Sequence, residues 1–288
     1  MLWLAQTALK SRLHAISLAV GFVLLPFFTW LGAAVAALIT LAKGPREGGM
    51  CFAVVSIPSL YLALDGQRAD LIHLLLTWLI AVVLWWSKSW IYVLVALVSA
   101  GCVQHALVPV LTDSQLNELT AAVNQMIQEI SAQNPDAGPI EPPSQALYAG
   151  GIQLWSVLGA FISLMFARYM QAAVYNPGGF RKEFHSLRFP YSVMSLLLGA
   201  AFLLSVLGDS FISYVPMLVL PLVIAGISVV HGSIEIKKLG GNWLVLFYVS
   251  LVLVSSLTLL LLIVLAALDS VFDIRSKLSA ASNENNQY

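Results

Sequence analysis

Five polar residues, His73, Gln104, His105, Gln153 and Asp209, stand within or at the ends of long apolar runs. An ionisable or amide side chain at membrane depth is costly, so a group of this kind facing the protein interior is a functional candidate by default. Imidazole and carboxylate suit zinc or nickel, but His73, His105 and Asp209 fall on separate runs with no short spacing such as HxxxH, and no metal site is expected. No HExxH, GxSxG, P-loop or GxGxxG stands in suitable context. Asp209 and His105 form only a weak acid–base pair, so neither an enzyme nor a cofactor site is expected. What remains is hydrogen bonding to a small solute in a water-accessible pocket, with Tyr148 and Trp155 as apolar walls. The plainer alternative is that each group bonds a neighbouring helix or interfacial water separately.

The elements that position these groups are membrane spans. Of 288 residues, 59% are hydrophobic and 10% charged, against roughly 25% charged in a soluble domain. Apolar runs of about twenty residues, enough for a ~30 Å hydrocarbon core, recur along the chain. The fold class is therefore all-α: a single integral membrane domain over 1–288, a polytopic helical bundle of eight to nine crossings. The runs are Leu13–Leu25, Phe27–Ala42, Gly48–Leu64, Leu71–Trp86, Trp90–Leu111, Leu147–Met170, Tyr191–Leu207, Phe211–Val230 and Trp243–Leu268. The first two read as a hairpin or as one helix kinked at Pro26. Lys10 and Arg12 precede an apolar stretch with no polar cleavage site, as in an uncleaved signal anchor. Cys51 and Cys102 lie inside apolar runs and read as small buried hydrophobes.

Charge orients the bundle. With the N-terminus cytoplasmic and nine crossings, the inner segments hold Lys10, Arg12, Lys43, Arg46, Lys88, Arg168, Arg181, Lys182, Arg188, Lys237 and Lys238, which is 11 of 14 basic residues. Arg68, Arg275 and Lys277 fall outside. This asymmetry fits the positive-inside rule for a bacterial inner-membrane protein and favours the hairpin at Pro26. All five polar candidates then sit near the outer ends of their helices, and the tail Asp269–Tyr288 lies outside, its end SAASNENNQY reading as disordered. Net charge is zero, so nothing argues for nucleic acid.

The segment 112–145 has no Lys or Arg and five acidic residues. Within it Leu116, Leu119, Val123, Ile127 and Ile130 recur at helical spacing after Thr112, Asp113 and Ser114, which predicts an outer amphipathic helix over Ser114–Gln133, followed by the linker NPDAGPIEPP. The inner loop Tyr175–Phe189 turns at Asn176–Gly179. Phe180 and Phe184 with Arg181, Lys182 and Arg188 then form a basic amphipathic stretch that contacts the bilayer or a cytoplasmic coupling partner. Trp85, Trp86 and Trp90 around Lys88 read as an interfacial belt. Small residues at Gly32, Ala33, Ala36 and Ala37, and again at Gly199–Ala201, mark faces for close helix approach.

The paired N-terminal spans ending in LAKGPREGG and the loop YNPGGFRKEFHSLRF resemble the YybS-like family of polytopic bacterial membrane proteins, a family of unknown function. That family is in turn distantly similar to the substrate-binding membrane subunits of energy-coupling-factor vitamin transporters. The resemblance implies a compact helical bundle, a small-molecule pocket opening outward and a small-residue face for a coupling partner. The expected function is binding or transport of a small solute. The alternative is a non-transporting membrane scaffold.

Overall fold

The computed structural model describes residues 2–107, 114–133, 138, 142 and 144–284. Among them the chain is helical throughout, an all-α, multi-pass membrane-spanning bundle. Six helices are long and apolar enough to cross a bilayer: Pro45–Leu64, Ala69–Ser87, Trp90–Leu107, Leu147–Tyr175, Val215–Ile236 and Ser255–Phe272. Shorter apolar helices cover Arg12–Val23, Thr29–Lys43, Tyr191–Val206 and Asn242–Leu253. Where the sequence suggests one domain, the helices gather into two units, residues 1–176 with 204–217, and residues 177–203 with 218–288.

Unit 1 is built around the second apolar run. Helix α1 (Leu2–Lys10) leads through Ser11, whose hydroxyl accepts from the His14 N–H, into α2 (Arg12–Val23). The chain turns at Leu24–Phe28, with Phe27 in the left-handed region at φ 66°, and returns as α3 (Thr29–Lys43). Pro26 therefore marks a hairpin. Lys43 Nζ donates to Leu9 O at 3.3 Å and Arg12 pairs with Glu47, so the hairpin starts and finishes at one end. Thr29 and every residue from Gly32 to Leu41 are buried, because α3 packs against α2, α4 (Pro45–Leu64), α5 (Ala69–Ser87) and α8 (Gln145–Tyr175). A helix apolar on all sides is a core helix, and its Gly32–Ala37 face allows that approach. Gly199, by contrast, has open space around it. Helix α6 (Trp90–Leu107) packs on α5 and α8. The amphipathic α7 (Ser114–Gln133) spans the expected residues, rests on α8, and leaves Leu119 and Ile130 exposed with Val123 and Ile127 half-buried. The side chain of Leu116, together with Thr112, Asp113 and most of the linker, falls outside the described residues.

Unit 2 starts at the basic loop. Gly178 takes φ 83° and opens α9 (Gly179–His185), the polar turn foreseen at Asn176–Gly179. The chain continues as α10 (Tyr191–Val206), whose last residues, with the short α11 (Asp209–Ile212), belong to unit 1. It then enters α12 (Val215–Ile236), α13 (Asn242–Leu253), α14 (Ser255–Phe272) and α15 (Ile274–Glu284). Leu262 of α14 lies against Gly226 of α12, and Arg275 lies against Gly232, so α12 and α14 run in the same direction. Their connection must carry the chain back.

This corrects the ninth crossing. A straight Trp243–Leu268 helix would be about 39 Å long and would leave the tail at the far end of unit 2. Instead the helix breaks at Val254 (φ −128°, ψ 48°), and the Thr258 hydroxyl reaches across the break to Ser250 O at 3.0 Å. Helix α13 returns the chain and α14 brings it back. Arg188 pairs with Asp269 and Asp273, and Arg275 donates to the carbonyls of His185 and Leu187. The C-terminal segment therefore shares its end of unit 2 with the basic loop, where charge counting had set the two on opposite sides. The tail is also more ordered than its composition suggested. Asp269–Phe272 complete α14, and α15 follows as far as Glu284.

Candidate functional site

At the end of unit 1 away from Lys43 and Glu47, the hairpin tip, the start of α5, the end of α6 and the first half of α8 enclose a cavity of about 380 Å³. His73, Gln104 and Gln153 all line it, with Trp155 as a wall. Three side chains singled out for polarity within apolar runs thus meet at one place. Small-molecule sites commonly begin at roughly this size, around 300 Å³.

Each group is held by its own helix. Gly159 lets the His73 ring lie against α8, since a Cβ there would come within 2.9 Å of His73 Cε1. His73 Nε2 is 3.1 Å from Ser163 Oγ, and the Ser163 hydroxyl donates to Gly159 O at 3.0 Å. With that single hydroxyl proton engaged, His73 Nε2–H is the donor and Nδ1 is the remaining acceptor of the neutral ring. Gln104 Oε1 and Ser156 Oγ are buried without a hydrogen-bond partner, and both residues line the cavity. A bound donor would satisfy them; left unpaired, such groups each cost about 1–3 kcal/mol.

His105 stands behind the cavity. Its Nδ1–H donates to Gln153 Oε1 at 2.7 Å, its Nε2 accepts from the Ser213 hydroxyl at 2.8 Å, and Tyr214 packs edge-on at 4.3 Å. Hydroxyl, imidazole and amide follow the order of a nucleophile, base and orienting group. Yet Ser213 is 1% exposed, His105 is 6% exposed, and neither lines the cavity. What this chain does is tie α6, α8 and the 213 turn together and fix the Gln153 amide. Gly150 permits it, because a Cβ there would lie 2.8 Å from Ser213 O.

Asp209 begins α11, and its side chain lies outside the described residues. Tyr148 is not a wall; its hydroxyl is buried without a partner elsewhere. Sequence reasoning missed Phe27, Thr29, Trp30, Asp70 and Ser156, all of which line the cavity. Asp70 had a usable signal, since it precedes His73 by three residues and so shares its helix face. Phe27 and Trp30 had none, because only the hairpin brings them across to α5. Among the described residues no three His, Cys, Asp or Glu side chains are grouped to hold a metal ion.

Unit 2 carries a second, polar cleft of about 810 Å³, lined by Lys182, His185, Arg188, Glu235, Asp273 and Arg275. Arg275 of its lining belongs to a buried ion pair, Asp269 Oδ2 to Arg275 Nη2 at 2.8 Å. Arg275 also donates to Ser228 Oγ at 3.1 Å, while Ser228 donates to Phe184 O at 2.6 Å. Arg188 donates to Asp269 O and Ser270 O, both at 3.0 Å, and meets Asp273 at 2.8 Å. A hydrogen bond from Ser276, aided by Arg188 and Arg275, holds the Asp273 carboxyl below the usual carboxylate range. The loop is therefore clamped into unit 2 through its carbonyls. Of its basic residues Arg188 is committed inward, whereas Arg181 and Lys182 stay exposed, Arg181 beside Glu235 at 3.8 Å. Phe180 and Phe184 stack at 6.2 Å, and Phe184 meets His231 edge-on.

No protein-family model, no curated protein and no solved structure matches this chain.

Proposed function

We propose that this integral membrane protein binds a small solute in the unit 1 cavity, and that the cavity opens to the outer side of a bacterial inner membrane. The observation that carries the reading is the meeting of His73, Gln104 and Gln153 at one cavity whose lining also holds the unpartnered Gln104 Oε1 and Ser156 Oγ. Binding is favoured over catalysis because the one triad-ordered group, Ser213–His105–Gln153, is buried behind the cavity wall. The resemblance of the paired spans ending in LAKGPREGG and of the loop YNPGGFRKEFHSLRF to the YybS-like family, itself distantly similar to substrate-binding membrane subunits, points the same way. The test is Ser156→Cys, probed in intact cells with a membrane-impermeant maleimide and with glycerol, glycine and ethanolamine as competitors. Labelling before lysis, slowed by at least one competitor, is the expected result; a thiol that reacts only after lysis overturns the outward-facing cavity.

Orientation follows from the charge at each unit's ends. In unit 1 the end with Lys10, Arg12, Lys43, Arg46, Lys88 and Arg168 opposes a cavity end whose only basic residue is Arg68. In unit 2 all seven basic residues, Arg181, Lys182, Arg188, Lys237, Lys238, Arg275 and Lys277, gather at the ion-pair end. With the tail moved inside, 13 of 14 basic residues are cytoplasmic, a stronger bias than nine crossings allow. Reporter fusions after Ala173 and after Glu284 are expected to report the cytoplasm, and a fusion after Leu111 the outside. A Glu284 fusion reporting the outside, with Ala173 inside, would contradict the bend at Val254.

A further inference from the structure

We infer that the unit 1 cavity selects a small ammonium compound, one that presents a protonated amine together with a hydroxyl or similar polar group. This rests on the reading of that cavity as a solute site and adds the charge class of the solute. Among the described residues Asp70 is the only charged one in the lining, and none of them is a lysine or arginine. It stands in the first turn of α5, and it makes no ion pair among the described residues. An unpaired carboxylate beside an open cavity calls for a cation.

The neutral lining agrees. Gln104 Oε1 is a buried acceptor without a donor, and His73 keeps Nδ1 as its acceptor because Nε2–H is held by Ser163. Ammonium N–H groups are the matching donors. Phe27, Trp30 and Trp155 put three aromatic residues in the same lining, and an aromatic face attracts a cation lying within about 6 Å. Trp30 is steadied edge-on by Phe166 at 5.6 Å. The Gln153 amide, anchored through Oε1 by His105, retains its NH₂ as a donor for the solute's hydroxyl. An anionic solute would meet Asp70 with no cation among the described lining residues to offset it.

The experiment uses the full chain in lipid nanodiscs, with tryptophan fluorescence and Tm followed during titration by ethanolamine, ethylene glycol and glycolate at constant ionic strength. These share a two-carbon skeleton and differ in charge. Ethanolamine is expected to raise Tm and shift the fluorescence at a concentration at least tenfold lower than ethylene glycol, with glycolate inert. Asp70→Asn should lose that advantage about tenfold while keeping the ligand-free Tm of the parent. Equal responses to ethanolamine and ethylene glycol, unchanged in Asp70→Asn, would overturn the charge assignment and leave the cavity reading in place. A chain that responds to none of the three also overturns the assignment; if the Ser156→Cys thiol is then unreactive in intact cells, the cavity reading falls with it.

Discussion

Replacing Asp269 with alanine should lower the stability of the folded chain by about 3–5 kcal/mol, the cost of leaving one member of a buried ion pair uncompensated. Asp269 is 1% exposed and Arg275 is 8% exposed, so water cannot take over from the lost carboxylate. The loss should also spread. Asp269 accepts from Arg275 Nη2 at 2.8 Å and from the Arg275 N–H at 3.3 Å, and the same guanidinium holds the carbonyls of His185 and Leu187. Loop, α12 and α14 therefore loosen together. The measurement is thermal unfolding in nanodiscs, paired with the double variant Asp269→Leu/Arg275→Met. An apolar pair of similar volume avoids the desolvation cost of both charges, so the double variant should recover part of the loss, held back by the His185 and Leu187 carbonyls that lose Arg275 as donor. If Asp269→Ala alone melts with the parent, the ion pair does not organise unit 2.

The second large effect is expected at His105. Substitution by leucine removes hydrogen bonds of 2.7 and 2.8 Å and takes from the buried Gln153 Oε1 the donor it has in the structure. At about 1–3 kcal/mol for the orphaned acceptor and about 1 kcal/mol for the second lost hydrogen bond, the loss should total roughly 2–4 kcal/mol. A variant that also carries Gln153→Leu removes the orphaned acceptor and should regain much of it. The site gives a separate readout. His105→Leu frees the Gln153 amide, so solute protection of the Ser156→Cys thiol should weaken at temperatures well below unfolding. Stability lost with protection unchanged would show that His105 braces the helices without positioning Gln153.

The membrane class, the helical content and the extent of α7 were legible without coordinates, because each is written in local signals: long apolar runs, cap-forming residue types at 112–114 and a three-to-four periodicity. The polar candidates were legible for a related reason. An amide or imidazole inside an apolar run stands out, and three of the five meet at one cavity. Their partners were not legible. Nothing near His105 in the chain announces Ser213, which is 108 residues away, and Gly159 reads as a small residue until the His73 ring is seen against it. Asp70 shares a helix face with His73, but only the position of the hairpin tip makes it a cavity residue.

The end of unit 2 at which Asp269–Phe272 and α15 lie shows the division most clearly. Hydropathy alone treats Trp243–Leu268 as one long span, since mean apolar character cannot register a single backbone break. The residues at that break, Leu253, Val254 and Ser255, carry neither proline nor glycine to mark it. What decides the fold there is partners distant in sequence: Arg188 for Asp269 and Asp273, the loop carbonyls for Arg275, and Gly226 for Leu262. A buried arginine and aspartate must be paired wherever they lie, and that requirement folds the last helix back toward the basic loop. By itself the sequence determined a polytopic helical membrane protein with its cations gathered at spaced intervals, because transfer free energy and charge asymmetry are sums over neighbouring residues. Only the tertiary structure decided which polar groups share a cavity and at which end the chain finishes, because hydrogen bonds and ion pairs are satisfied between residues that the sequence keeps apart.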